Sequence, residues 1–263
     1  SVDIIPGTYT NALAIRNDVV GIAKGNIIAA DVETTNAASV LDMATFTLTV
    51  TSDNLISGNN GSIKTQNSSA SPITLSSGTW KQEIVFNATG AQTVPAGTYA
   101  DLTITGSGTK TTGGALTVNG VLSLTKANAS PLLLNLEDAL TGTFTTAAGD
   151  GVLILNTNTT AGDLPSGKTW NFNVSSEQSG YVLPELTMNN SILDIRENTS
   201  LSGAVTLTGT GRILFHGSGK VLDCVTFPIN CNNNQAIGAF DTDGKIQTQA
   251  STGALTGSIL FGD

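Results

Sequence analysis

Residues 92–125 read QTVPAGTYADLTITGSGTKTTGGALTVNGVLSLT. Within them, Leu102-Thr-Ile104-Thr, Leu116-Thr-Val118 and Val121-Leu-Ser-Leu124 each alternate apolar with small polar residues, and glycine or asparagine soon ends each run. Period-two alternation is the mark of a strand with one face buried and the other in water. The interrupting Gly97, Gly106, Gly108, Gly113, Gly114 and Gly120 are expected to supply positive-φ corners. Asn119-Gly120, taken alone, reads as a type I′ hairpin. Runs of three to five residues with so few aromatics argue against an antiparallel sandwich, which needs longer strands and bulky core anchors. The pattern predicts an all-β chain folded as a right-handed parallel β-helix, with an antiparallel β-sandwich as the alternative.

The same idiom fills the rest of the chain, as in Phe46-Thr-Leu48-Thr-Val50, Val152-Leu-Ile154-Leu, Ile192-Leu-Asp-Ile195 and Arg212-Ile-Leu-Phe215. Pro6-Gly7-Thr8-Tyr9 anticipates Pro95-Ala96-Gly97-Thr98-Tyr99, and Leu201–Gly209 echoes Gly113–Gly120, so an internal repeat is expected. Ala37 to Ala44 alone has tolerable helix composition, and it is too short for more than one turn. No composition shift marks a linker. The expectation is one solenoid domain over 1–263, with irregular capping ends at 1–45 and 224–263.

Composition narrows the partners. Charged residues are 12% of the chain, roughly half the usual ~25%. Polarity therefore comes from hydroxyls and amides, which suit stacked strands. With 39% hydrophobic residues the chain can bury a core, which excludes disorder. A net charge of −9 removes the basic footprint that nucleic acid requires. No polybasic segment or long apolar run suits membrane binding or insertion. Ser1-Val2-Asp3 has no leader pattern, so an exported version would be a mature chain or an excised fragment. Cys224 and Cys231, in CVTFPINC, are either a short-loop disulfide or two buried thiols.

The segment Phe86–Lys110, with its Gly90-Ala-Gln92 start, Pro95-x-Gly97-x-Tyr99 turn, Leu102-Thr-Ile strand and Gly-Thr-Lys110 corner, followed by Val118-Asn-Gly120-x-Leu122, resembles a recurring segment of large secreted cell-surface repeat proteins of Bacteroidetes-type bacteria. The resemblance is clear over about forty residues. It implies an exported β-solenoid passenger with a structural or adhesive role at the cell surface, and it carries over no catalytic residues. The C-terminal sorting domain often found in such proteins is not evident.

Chemistry-bearing motifs are sparse. Asp241-Thr-Asp243-Gly244-Lys245 and Phe215-His216-Gly217 resemble in outline the motifs of polygalacturonase-like hydrolases, but their order is reversed and no adjacent Asp pair exists. The lysines and arginines, Lys110 and Arg212 among them, are scattered and read as solvated corners. Asp241–Gly244 reads as an Asp-Gly turn rather than a calcium loop. His216 reads as a strand-end residue. No catalytic residue, cofactor site or metal site is expected. The expected function is a non-catalytic extracellular structural or adhesive protein with a glycan or host-surface ligand. Self-association is expected through strand edges at Ile4-Ile5 and Gly257–Phe261. The alternative is a polysaccharide-active lyase or hydrolase, or a carbohydrate-binding module, on the same scaffold.

Overall fold

The computed structural model describes residues 1–52, 60–76, 78–156, 159, 162–216 and 219–231, and the backbone of 237–239, 245–247 and 255–256. The described residues contain no helix, and strands one coil apart lie parallel, which makes the fold a β-solenoid. The antiparallel alternative is thereby excluded. Two compact units are distinguished, Ser1–Leu132 with Gly142–Phe144 and Leu133–Thr141 with Thr145–Asp263.

In the first unit Val2 lies beside Gly21, Val20 beside Val40 and Val40 beside Ser62, so one coil takes about twenty residues. Like side chains therefore stack on like. Leu41, Ile63, Ile84, Leu102 and Leu122 form one such column in register, and every member is fully buried. Each leucine or isoleucine that closes over its neighbour contributes roughly 1.5–3 kcal/mol relative to exposure. Ala37–Ala44 makes no helical turn. Val40–Asp42 is a strand, because the Val-Leu-Asp alternation places Leu41 in that column.

Asn119-Gly120 is not a hairpin. Leu116–Val118 and Val121–Lys126 both run parallel to the Gly97–Gly106 strand, so Asn-Gly only bends the chain between two edges of one coil. The corner glycines divide by cause. Gly106 has φ +89 and packs against the Ala88 carbonyl, leaving no room for a Cβ. Gly120 has no positive φ. Its Cβ position is filled by Asp101, whose carboxylate accepts a 2.6 Å bond from the Val121 N–H. Gly113 lacks positive φ too, and nothing in the structure requires glycine there.

The Pro-Gly-Thr-Tyr echo is real in three dimensions. Tyr9 donates its hydroxyl to the Ile5 carbonyl at 2.7 Å, and Tyr99 donates to the Pro95 carbonyl at 2.6 Å, each four residues back.

Polar side chains also point inward at the corners, each reaching a carbonyl of the preceding coil. Asn67 donates to the Thr45 carbonyl at 2.7 Å. Gln92 donates to the carbonyls of Thr65 at 2.8 Å and Asn67 at 3.0 Å. Lys110, beside Gln92 in register, donates its ammonium to the carbonyls of Ala88, Gly90 and Ser107 at 2.8, 2.5 and 2.9 Å. Lys110 is completely buried, which corrects its reading as a solvated corner. A buried corner cannot leave its carbonyls unpaired, and these side chains pair them.

In the second unit Leu134, Leu153, Val174, Leu193 and Ile213 form the interior column of one sheet, and Leu186, Val205 and Ile229 that of another. Trp170 is buried inside, edge-on to Phe172 at 5.6 Å. Outside, Thr169, Thr187 and Thr206 lie abreast as a rank of hydroxyls. Beside them Asn189 donates to Asn171 at 2.6 Å and accepts from Thr208 at 3.0 Å.

Candidate functional site

The site lies on the outward face of the Leu132–Leu136, Val152–Leu155, Asn173–Ser176, Ile192–Ile195 and Arg212–Phe215 sheet, and its lining residues, from Leu133 onward, belong to the second unit. Register sorts its side chains into columns. One column holds Leu133, Val152, Asn173, Ile192 and Arg212; the next holds Asn135, Ile154, Ser175, Asp194 and Leu214. Beyond the strand ends Glu177, Arg196 and His216 continue the ladder, their N–H groups donating to Leu155, Ser176 and Ile195 of the preceding coil at 2.9, 3.0 and 2.9 Å.

Outward positions on a solenoid normally face water. Here Ile154, Ser175 and Asp194 are only 6%, 1% and 8% exposed. The middle column is therefore the floor of a groove rather than a flat face. Its cavity is about 270 Å³, at the lower end of the ~300–1,000 Å³ typical of ligand sites.

Asp194 organises the floor. Its Oδ1 is 2.5 Å from Nδ1 of His216, and its Oδ2 accepts from Nε of Arg196 at 2.9 Å. The hydrogen bond between Nδ1 and Oδ1 fixes the orientation of the His216 ring over the floor. Arg196 also lies 3.5 Å from Oε1 of Glu177, which accepts from the Ser175 hydroxyl at 3.1 Å. Charge-assisted contacts of this kind fix rotamers as well as adding energy. Arg212 differs: it is exposed, lines the groove, and its guanidinium makes no hydrogen bond or ion pair among the described residues.

His216 does follow the Arg212–Phe215 strand, as expected, but its partner Asp194 was not anticipated. Asp241, Asp243 and Gly244 lie outside the described residues. Ser175, Glu177 and Asp194 were missed, and Arg196 and Arg212 were read only as scattered cations, because each is unremarkable within its own strand. The available signal was period: Ser175, Asp194 and Leu214, like Glu177, Arg196 and His216, recur at one coil's spacing.

Cys224 and Cys231 are buried free thiols. Burial, helped by Asp223, pushes the Cys224 thiol up to about 11, and burial raises Cys231 as well. Both are poor nucleophiles. Among the described residues no group of three or more His, Cys, Asp or Glu side chains is placed to hold a metal ion, and no helix is long and apolar enough to cross a membrane. A shallower depression over the first unit's corners, about 510 Å³, is lined by Thr45, Gln66, Ser68 and the Ala88–Ala91 segment, with no ionisable side chain. Comparison with protein-family models, curated proteins and solved structures returns no match for this chain.

Proposed function

We propose that this chain is the scaffold of an exported surface protein with an adhesive or structural role, and that the groove of the second unit is its glycan contact. The observation that carries the reading is the buried outward column Ile154–Ser175–Asp194, ringed by Glu177, Arg196, Arg212 and His216. A sugar ring presents an aliphatic face and hydroxyls that both donate and accept. The groove offers aliphatic floor from Ile154, Ile192 and Leu214, carboxylate acceptors, and guanidinium donors. No tryptophan, tyrosine or phenylalanine is among the residues lining the groove, so stacking on such a ring adds nothing there. Each contact is then weak, and adhesion relies on repetition across many molecules.

Self-association belongs to the same reading. The Val2–Ile4 and Gly7–Ile15 strands each have a neighbour on one side only among the described residues, and Val2 and Ile5 are 47% and 73% exposed. Such an edge accepts another strand. The expected C-terminal counterpart, Gly257–Phe261, lies outside the described residues. Sedimentation over a rising concentration series is expected to show concentration-dependent oligomers that Ile5→Lys suppresses. A monomer at every concentration removes this part of the reading.

The polysaccharide-active alternative is favoured by one observation, the Asp194–His216 pair beside Glu177. A panel of neutral and acidic oligosaccharides, assayed for binding by calorimetry and for new chain ends after long incubation, separates the two. Binding without cleavage is the expected result. Cleavage that His216→Ala abolishes makes the protein an enzyme, and no binding to any glycan refutes the groove as a glycan site.

A further inference from the structure

We propose that the glycan taken by this groove is acidic, with the carboxylate of a uronic-acid residue received by Arg212. This rests on the glycan reading and narrows it.

The groove's charges are not interchangeable. Asp194 is held from both oxygens, by His216 and by Arg196. Arg196 is spent on Asp194 and Glu177, and Glu177 takes the Ser175 hydroxyl as well. Two carboxylates share one guanidinium and the His216 ring, so these groups are engaged with one another before any ligand arrives. Arg212 is the remaining ionic group, and it has no partner of its own among the described residues.

Its position gives that free charge a use. Ile192 stands beside Arg212 in the same column, one strand away, and Leu214 lies two residues further along Arg212's own strand. A guanidinium next to an aliphatic shelf matches a uronate ring, which has a C–H face and an equatorial carboxylate that guanidinium binds through two parallel hydrogen bonds. Neighbouring strands are roughly 4.8 Å apart. Asp194 lies diagonally from Arg212, one strand over and two residues along, opposite Leu214, roughly 7–8 Å away, where hydroxyl donors of a further sugar meet acceptors. The chain as a whole carries −9 and gives an anion no long-range attraction, so recognition depends on this one local cation.

The test is calorimetric titration with uronic-acid oligomers, the same oligomers with their carboxylates reduced to neutral hexoses, and the Arg212→Gln and Arg212→Lys variants. The expected result is uronate binding that weakens about ten- to hundredfold on carboxylate reduction or in Arg212→Gln, with Arg212→Lys between. Arg212 is exposed, so the variants are expected to unfold at the wild-type midpoint. Equal affinity for the uronate and the reduced oligomer, or an Arg212→Gln variant that binds uronate like wild type, overturns the proposal and leaves the glycan reading intact. Failure to bind either oligomer overturns both.

Discussion

Asp194→Ala is expected to lose about 2–3 kcal/mol of stability and, with it, all binding in the groove. The carboxylate makes two charge-assisted contacts, and hydrogen bonds to charged groups are worth about 1.5–3 kcal/mol each. The sum is not fully lost. The side chains of Arg196 and His216 are 48% and 35% exposed and can turn to water once released, whereas that of Asp194 is 11% exposed and gives up its own desolvation cost when removed. Urea denaturation reads the loss. Hydrogen exchange places it, because in a solenoid each coil touches only its neighbours. Faster exchange is expected in Asn173–Ser176, Ile192–Ile195 and Arg212–Phe215, with no change in the first unit. Asp194→Asn is expected to keep most of the packing while losing the paired charges. A double variant with His216→Ala that costs no more than Asp194→Ala alone would show that the two act as a unit, and strict additivity would refute the coupling. An Asp194→Ala protein with unchanged stability and unchanged glycan affinity would remove this carboxylate from the site.

The two kinds of feature in this molecule were unequally legible. Strand order was written locally: alternation in Leu102-Thr-Ile104 or Val205-Thr-Leu207 fixes which face is inside without reference to anything distant. Parallel stacking then follows, since such short runs cannot bury themselves except against copies of their own pattern. The groove was not written locally. Alternation assigns Ser175 and Asp194 to the outside, correctly, and an outside residue is ordinarily wet. That these two are dry is a property of the groove that residues from several coils line together, which no single strand encodes. Only a reading that first fixed the coil at about twenty residues and then compared equal phases would have brought Glu177, Arg196 and His216 together. Lys110 failed for a different reason. The run Gly108–Thr112 alternates with Lys110 and Thr112 in the buried phase, in register with Gln92 and Val94. The pattern placed the lysine inside, and its charge argued for the outside.

Lys110→Met is expected to destabilise the first unit by about 1–3 kcal/mol at neutral pH, the cost of the unpaired carbonyls outweighing the relief of a buried charge. Methionine matches the length of the stem and fills the space, so the loss is polar rather than a cavity. The Gly90 and Ser107 carbonyls would lose the donor they now have, while the Ala88 carbonyl would keep the Ser107 N–H at 3.3 Å. Each buried acceptor left unpaired costs about 1–3 kcal/mol. Burial works against the ammonium and lowers its pKa from 10.5 to about 8. That drop amounts to ~3 kcal/mol, which the charged form carries at neutral pH and the neutral amine does not. Below about pH 8 folded and unfolded chains both hold the proton, and the cost is fully present. Between about 8 and 10.5 the unfolded chain holds it and the folded chain does not, so wild-type stability gains as pH rises. The gap between wild type and Lys110→Met is therefore expected to widen by about 1–2 kcal/mol from pH 7 to pH 9.5. Ionisation of Cys224 in the unfolded state acts in the opposite direction above pH 9, but both proteins carry it and it cancels in the difference. Lys64→Met, on the outward face of the Ser62–Thr65 strand, is the control and should change stability by no more than about 0.5 kcal/mol at either pH. A gap that narrows with pH would mean that the carbonyl cage holds the ammonium more firmly than burial repels it, reversing the assigned sign. No gap at all would mean that the corner stands without its cation.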